Sequence, residues 1–468
     1  MSELIDALRA ELGDRVHTDA ETLDAHRHDS WALAELRELE GRGAPAPLAV
    51  VIPRSTEEVA RALVVCRERK VALIPFGGGS GVCGGVEASA DSVILSTRGL
   101  DGLVSLDAES LVASFRAGTL GSAAERRVQE AGLTIGHWPQ SIELSTVGGW
   151  VATRASGQYS TAYGSIEDVV LGLEAVLPDG RILRTRTSPR ASAGPELRQL
   201  FLGSEGTLGV VTEVTFSLRP LPEASVGQAF HFSSFGRGLE AVRQMLRVGW
   251  RPPVVRLYDA RESRRQFRSW CPAERHLLIL LHEGPAAAVQ VQTDAVAGLC
   301  GSCGGEETDA AAVDSWLEHR NQVQGFRELF QGGLVVDTIE LSCSWARAVP
   351  LYDSVTATLG EVPGMLSASA HSSHSYRSGT SLYFTFVARP DDAERMEETY
   401  LDCWRRVMGA TVTLGASISH HHGIGRLRRD VLAAELGEAG VALLRGVKRG
   451  LDPDDLLNPG VLLPPARP

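Results

Sequence analysis

The feature that most restricts what this chain can become is the run Pro75-Phe76-Gly77-Gly78-Gly79-Ser80-Gly81, placed straight after the apolar stretch VALIPF. Three successive glycines admit positive φ and present unobstructed N–H groups, which a pyrophosphate needs for close approach. A glycine-rich turn after a strand is also commonly only a turn. The run matches neither GxGxxG nor GxxxxGK[ST], and no lysine follows it, which weighs against NAD and ATP. Its surroundings read as strand, helix, strand: LAVVIP, then STEEVARALVVCRERK with Ser55 as N-cap and Glu58 three residues on, then VALIPF.

Later segments repeat the theme of small and hydroxyl-bearing residues. Pro139-Gln140-Ser141-Ile142-Glu143-Leu144-Ser145 leads into Thr146-Val147-Gly148-Gly149-Trp150 and Thr153-Arg154-Ala155-Ser156-Gly157. Farther on comes Gly203-Ser204-Glu205-Gly206-Thr207-Leu208-Gly209-Val210-Val211. Such stretches can wrap a long, flat ligand with donors for phosphate and carbonyl oxygens and no bulky side chain in the way.

At 468 residues the chain has room for two or three packed domains. Residues 1–45 read as a helical lead-in ending in the turn-rich linker GRGAPAP, and 46–222 as an α+β domain. Residues 223–440 suggest a second domain, an antiparallel sheet with helices on one face, and 441–468 a segment returning to the first. A net charge of −12 excludes a polyanionic partner such as nucleic acid, whose binding needs many Lys and Arg. No apolar run approaches the roughly 18 to 20 residues that span a bilayer, and MSELIDALRAELGDRV is unlike a signal peptide, so a cytoplasmic chain is expected. The seven scattered cysteines form no disulfide framework; the pair Cys300 and Cys303 lacks two further ligands for zinc.

Taken together, PFGGGSG, PQSIELSTVGGWVATRASGQ, YGSIEDVV and GSEGTLGVVTE resemble FAD-binding enzymes of the vanillyl-alcohol-oxidase superfamily, from about residue 45 to 460. Within it, STVGGWVATRASG and Ser419-His420-His421-His422-Gly423-Ile424-Gly425-Arg426 are similar to the alkylglycerone-phosphate synthases. The resemblance implies an α+β fold with a two-subdomain PCMH-type FAD-binding domain and an antiparallel-sheet cap that carries the triple histidine. It assigns flavin binding to Pro75–Gly81, Pro139–Ser145, Gly148, Gly149, Thr153–Ser156 and Glu205–Val211. The glycine loop contains no His for covalent attachment, so FAD is expected to be non-covalent.

Candidate catalytic groups follow on the second domain. Three imidazoles in a row cannot all face one way on a strand, so at least one of His420, His421 and His422 should point to the opposite side. Histidine moves protons near neutrality. Without nearby Cys, Asp or Glu the three are poor metal ligands, and no metal is expected. Tyr383, in SLYFTF, matches the family's proton donor or acceptor, a role open to a phenol of lowered pKa, and Arg256, in VVRLYD, matches an arginine that holds an anion. Both residue types also have bland readings, in core packing and surface ion pairing. Where the family carries a substrate-contacting arginine, this chain reads Ala370-His371-Ser372-Ser373-His374-Ser375-Tyr376-Arg377. His371 binds a phosphate dianion less firmly than an arginine would, with His374 and Arg377 as further substrate candidates.

The resemblance implies exchange of the acyl group of acyl-glycerone-phosphate for a fatty alcohol, with flavin N5 as the point of attachment. The alternative is ordinary oxidoreduction of a 2-hydroxy acid or another alcohol by hydride transfer to N5; a third is an inactive flavin- or lipid-binding protein. The expected partners are a small-molecule or lipid substrate, transient membrane-surface contact if it is a lipid, and a second copy of the chain, since the family's members are often dimers.

Overall fold

The computed structural model describes residues 2–323 and 325–465. Ser55 accepts a hydrogen bond from Glu58 N and so starts the helix Thr56–Glu68, as its capping chemistry requires. Val59, Ala62, Leu63, Val65 and Cys66 of that helix are buried. They cover a sheet ordered Val16–His17, Ala49–Val51, Val93–Ser96, Leu73–Phe76, in which the last three strands are parallel. Every residue of Val93–Ser96 is buried, as expected of a parallel strand covered on both faces. The glycine run therefore leaves the sheet at the carboxyl end of Leu73–Phe76, the end at which open α/β sheets receive ligands.

A second, antiparallel sheet is ordered Leu103–Asp107, Val112–Arg116, Val210–Ser217, Val170–Val176, Ile182–Arg184. Trp150 fills its core at 1% exposure. A Cβ on Gly121 would stand 2.1 Å from the Trp150 ring, so only glycine lets the helix Gly121–Gln129 approach this closely.

The cap is a seven-stranded antiparallel sheet ordered Glu306–Thr308, Ala224–Phe232, His276–Gly284, Val254–Tyr258, Met365–Ser375, Gly379–Ala388, Val335–Ser344. Helices Phe235–Val248, Ala286–Ser302, Trp345–Gly360 and Met396–Thr413 pack on one face around Leu257, Leu278, Phe384 and Phe386. Cross-strand register puts Tyr258 opposite His371, His371 opposite Tyr383, and Tyr383 opposite Glu340, so these polar residues line the other face. The short helices Ala260–Gln266 and Ala311–His319 sit at the margins of that polar face.

The N-terminal segment does more than lead in. Ala32, Leu33, Ala34 and Leu36 of the helix Ala32–Leu39 belong to the cap core. Ser30 N bonds to Gly79 O, and the Asp29 carboxylate accepts from Gly85 N and Val86 N. Trp31 Nε1 donates to Tyr400 Oη, which donates to Asp337. Residues 29–39 thus tie the glycine loop to the cap. The carboxyl-terminal helix Leu432–Leu451 sends Lys448 Nζ to Thr207 O, and Leu73 N bonds to Leu456 O. All seven cysteines are free thiols. Among the described residues, no helix is long and apolar enough to cross a membrane.

Candidate active site

The four glycine- and hydroxyl-rich stretches meet in space. A Cβ on Gly78 would fall 2.0 Å from Leu144 O, and one on Gly77 2.8 Å from Thr146 Oγ1. Thr146 caps the helix Val147–Thr153 by accepting from Gly149 N. Glu205 N bonds to Ala152 O, and a Cβ on Gly206 would meet Pro75 Cγ at 2.9 Å. Around Gly79, whose φ is +69°, the N–H groups of Gly78, Gly79, Ser80 and Gly81 have no acceptor among the described residues. Consecutive free N–H groups at a left-handed glycine form an anion-binding concavity, which fits the pyrophosphate of a dinucleotide. On this geometry the residues present fit FAD.

Several side chains in these stretches are engaged elsewhere. Ile142 and Val211 lie in the hydrophobic core beside Trp150, and Val210 lies in the core under the first sheet. Gln140, Glu143, Leu144 and Arg154 are exposed; Gln140 Nε2 reaches Gln322 O of the cap and Arg154 pairs with Glu167. Glu205 turns away from the glycine loop to accept from Ile424 N and Gly425 N, so it latches the Gly-x-Gly turn after the triple histidine to the FAD domain. Burial raises its carboxyl to about 7.

On the cap face, Tyr383 stacks on His371 at 4.8 Å between ring centroids, and donates to Thr338 Oγ1 at 3.0 Å. Burial raises its phenol far above the ordinary tyrosine value. The phenol therefore stays protonated and acts as a hydroxyl, not as the phenol of lowered pKa to which a proton-transfer role is open. His420, His421 and His422 lie in an irregular loop, not on a strand, so the alternation argument does not apply. All three gather beside Tyr383 and His374, with His374 centroids 4.8 Å from His420 and 4.9 Å from His421, and Tyr383 5.5 Å from His422.

Each imidazole is held neutral. Burial, then the neighbouring histidines, push His420 and His421 down to about 3; burial sends His422 to about 4 and His374 also downward. The premise that the histidines lack neighbouring ligand types is overturned. Donor atoms of His374, His420 and His421 lie within 4.8 Å of one another, and the Glu340 carboxylate is 3.7 Å from His422 Nδ1. Hydrogen bonds already engage several of these nitrogens. His374 Nδ1 meets Ser160 Oγ at 2.6 Å, and His420 Nδ1 meets His421 Nδ1 at 2.9 Å.

Glu340 organises the loop, and sequence reading missed it. Its fully buried carboxylate accepts from His420 N, His422 N at 2.8 Å and Ser419 Oγ at 3.1 Å, and pairs with buried Arg428 at 2.7 Å. Burial alone would raise its pKa, but Arg428 and then His422 hold it well below the ordinary carboxylate range. An acid inside the apolar strand VVDTIELS was the available signal.

Glu262, also missed, ends a second chain: its Oε2 meets His371 Nδ1 at 2.9 Å, and His371 Nε2 meets Arg256 Nη2 at 2.9 Å. Since a guanidinium only donates, His371 accepts at Nε2 and carries its proton at Nδ1, toward Glu262. Both nitrogens are thereby used, so His371 orients Arg256 and has no free nitrogen for substrate. Arg256 Nε is engaged by Tyr258 Oη at 2.8 Å. Its Nη1 has no acceptor among the described residues. Arg377 is exposed at the turn between its two strands, away from this group.

The comparisons with known proteins agree with this geometry. Residues 47–186 match the FAD binding domain family, and residues 221–462 match the family of FAD linked oxidases, C-terminal domain. An uncharacterized FAD-linked oxidoreductase of Escherichia coli is 33% identical over 98% of both chains. Alkyldihydroxyacetonephosphate synthase of Dictyostelium discoideum is 28% identical over 90% of this chain and 74% of its own. A solved alkyldihydroxyacetonephosphate synthase structure superposes with a TM-score of 0.81 at 26% identity, covering 98% of this chain and 84% of that one. With more than half of its length in the C-terminal match and the cofactor cradle intact, the chain belongs to the FAD-linked oxidases and takes FAD as its cofactor.

Proposed function

We propose that the protein is an FAD-linked oxidoreductase that removes hydride from an oxygen-bearing carbon of a small anionic substrate, of the 2-hydroxy acid class. The observation that carries this reading is the state of Arg256. With Nε on Tyr258 and one Nη2 proton on His371, both Nη1 protons and the second Nη2 proton remain for substrate, an end-on fork. A single planar fork matches a monoanionic carboxylate in shape and charge, whereas a phosphate dianion is balanced only by more than one cation.

FAD, when bound, supplies the hydride acceptor. The chain's own residues do the rest. Arg256 fixes the carboxylate. His421, neutral and with Nδ1 tied to His420, takes the hydroxyl proton at Nε2. Tyr383 remains protonated and, braced by Thr338, orients the substrate oxygen. The cofactor is held without a covalent bond, so acid precipitation releases the yellow colour into solution.

The second reading, acyl-for-alkoxy exchange on acyl-glycerone-phosphate, is favoured by the shared Tyr383 and triple histidine and by the likeness to the synthases. Two arms separate them. Anaerobic mixing with a panel of 2-hydroxy acids should bleach the flavin, with Arg256→Ala raising the substrate concentration needed by about 10- to 100-fold, the worth of a charge-assisted hydrogen bond. Labelled fatty alcohol entering acyl-glycerone-phosphate while the flavin stays oxidised would overturn the first reading.

A further inference from the structure

We propose that His421, His420 and Tyr376 form a proton conduit from the catalytic face of the cap to a solvent-open pocket lined by Tyr376. The proposal rests on the acid–base role given to His421 above, and extends it to two residues that touch no substrate.

The links are continuous. His421 Nδ1 stands 2.9 Å from His420 Nδ1, and the opposite nitrogen, His420 Nε2, stands 2.7 Å from Tyr376 Oη. Tyr376 is half-buried and lines a cavity of about 450 Å³ together with Cys343, Thr380, Ser417 and Glu435. Ser378 and Gly415, which also line it, are exposed, so the cavity opens to solvent. Its walls are mostly hydroxyls, an acid and small residues, which suits water. The inner end is shut in: His374 stacks on His420, and Glu340 holds the His420 and His422 backbone N–H groups. The Tyr376 phenol also faces the buried hydroxyls of Ser165 and Ser156, but these lead back only to His374 Nδ1 in the interior, so the solvent-open cavity is the outlet.

The transfer balances without a redox partner. The substrate hydroxyl gives its proton to His421 Nε2 as the Nδ1–H bond breaks toward His420 Nδ1. His420 releases its Nε2 proton to Tyr376 Oη, and Tyr376 releases its hydroxyl proton to water in the cavity. Each bond formed replaces one broken, one proton leaves, and no ring carries charge for longer than a hop. Imidazole, with a donor and an acceptor nitrogen on opposite sides, is suited to such passage. The charged or titratable groups facing the conduit are His374 and Glu340 at His420, His422, Glu340, Arg428 and His371 at His421, and Glu167, Asp168 and the cavity's Glu435 near Tyr376.

The test uses holoenzyme labelled with nitrogen-15 at histidine. Exchange of the proton shared by His420 and His421 with solvent is followed by nuclear magnetic resonance in the unsubstituted protein and in Tyr376→Phe. Loss of the phenol oxygen should slow exchange by about tenfold or more, while flavin absorbance and melting temperature stay put. Unchanged exchange would overturn the conduit. In the second arm, flavin reduction by a 2-hydroxy acid should slow in Tyr376→Phe and recover when small imidazole buffers, able to enter the cavity, are added. A slowing that no buffer restores would make Tyr376 merely structural and would also overturn the proposal. The exchange arm needs no substrate, so a failure of every hydroxy acid to reduce the flavin would defeat the proposed function and leave the conduit standing.

Discussion

His371 Nε2 accepts from Arg256 Nη2 at 2.9 Å while its Nδ1 faces Glu262 at the same distance, so one imidazole fixes the direction of the Arg256 guanidinium. Burial, followed by the neighbouring Arg256, outweighs Glu262 and keeps His371 below its ordinary pKa. His371→Arg would place a second guanidinium next to Arg256 and opposite Glu262. Competition binding to the holoenzyme should then show preference moving from carboxylates toward phosphate monoesters by about tenfold, through added charge-assisted bonds.

Glu340 is the sole carboxylate on buried Arg428 among the described residues. Glu340→Gln keeps the shape and an acceptor for the loop N–H groups, but strands the cation. Breaking one side of a buried pair costs about 3–5 kcal/mol. Thermal unfolding should show a loss of that order, and the triple-histidine loop should become accessible to proteolysis. Arg428→Met in the same background should recover part of the stability.

The neutral histidines make stability depend on pH with a definite sign. His420 and His421 titrate at about 3 and His422 at about 4 when folded, against about 6.5 when unfolded, so the unfolded chain binds more protons between these values. Stability is complete above pH 6.5 and falls as pH drops toward 4, by up to about 1.4 kcal/mol per pH unit for each histidine. Denaturant titrations across that range should show the slope, and His421→Asn should make it shallower.

Gly78 has no room for a side chain: a Cβ would fall 2.0 Å from Leu144 O, which is backbone and cannot step aside. Gly78→Ala should therefore open the glycine loop and lower FAD content by about tenfold or more at unchanged cap stability, read from the ratio of flavin to protein absorbance.

The cofactor cradle was legible because flavin binding is written in local runs. Gly77–Gly79, Thr146–Gly149 and Glu205–Gly209 declare themselves by residue type, and they do meet. What stayed hidden depends on register between distant strands. Nothing in AHSSHSY says that His374 will stack on His420, or that His371 will spend both nitrogens on Arg256 and Glu262. The segment from Asp29 to Leu39 read as a lead-in because its partners, Gly85 and Tyr400, lie far away in the chain. Nor does SLYFTF say whether the Tyr383 phenol is acidified or held protonated, a matter decided by burial and not by its neighbours in sequence.

The most direct test is anaerobic titration of the purified yellow holoenzyme with 2-hydroxy acids, followed by the flavin's visible band. The account predicts stoichiometric bleaching by at least one of them and formation of the matching 2-oxo acid, both weakened in Arg256→Ala. A flavin that stays oxidised with every hydroxy acid, while the same preparation exchanges a fatty alcohol into acyl-glycerone-phosphate, would contradict it.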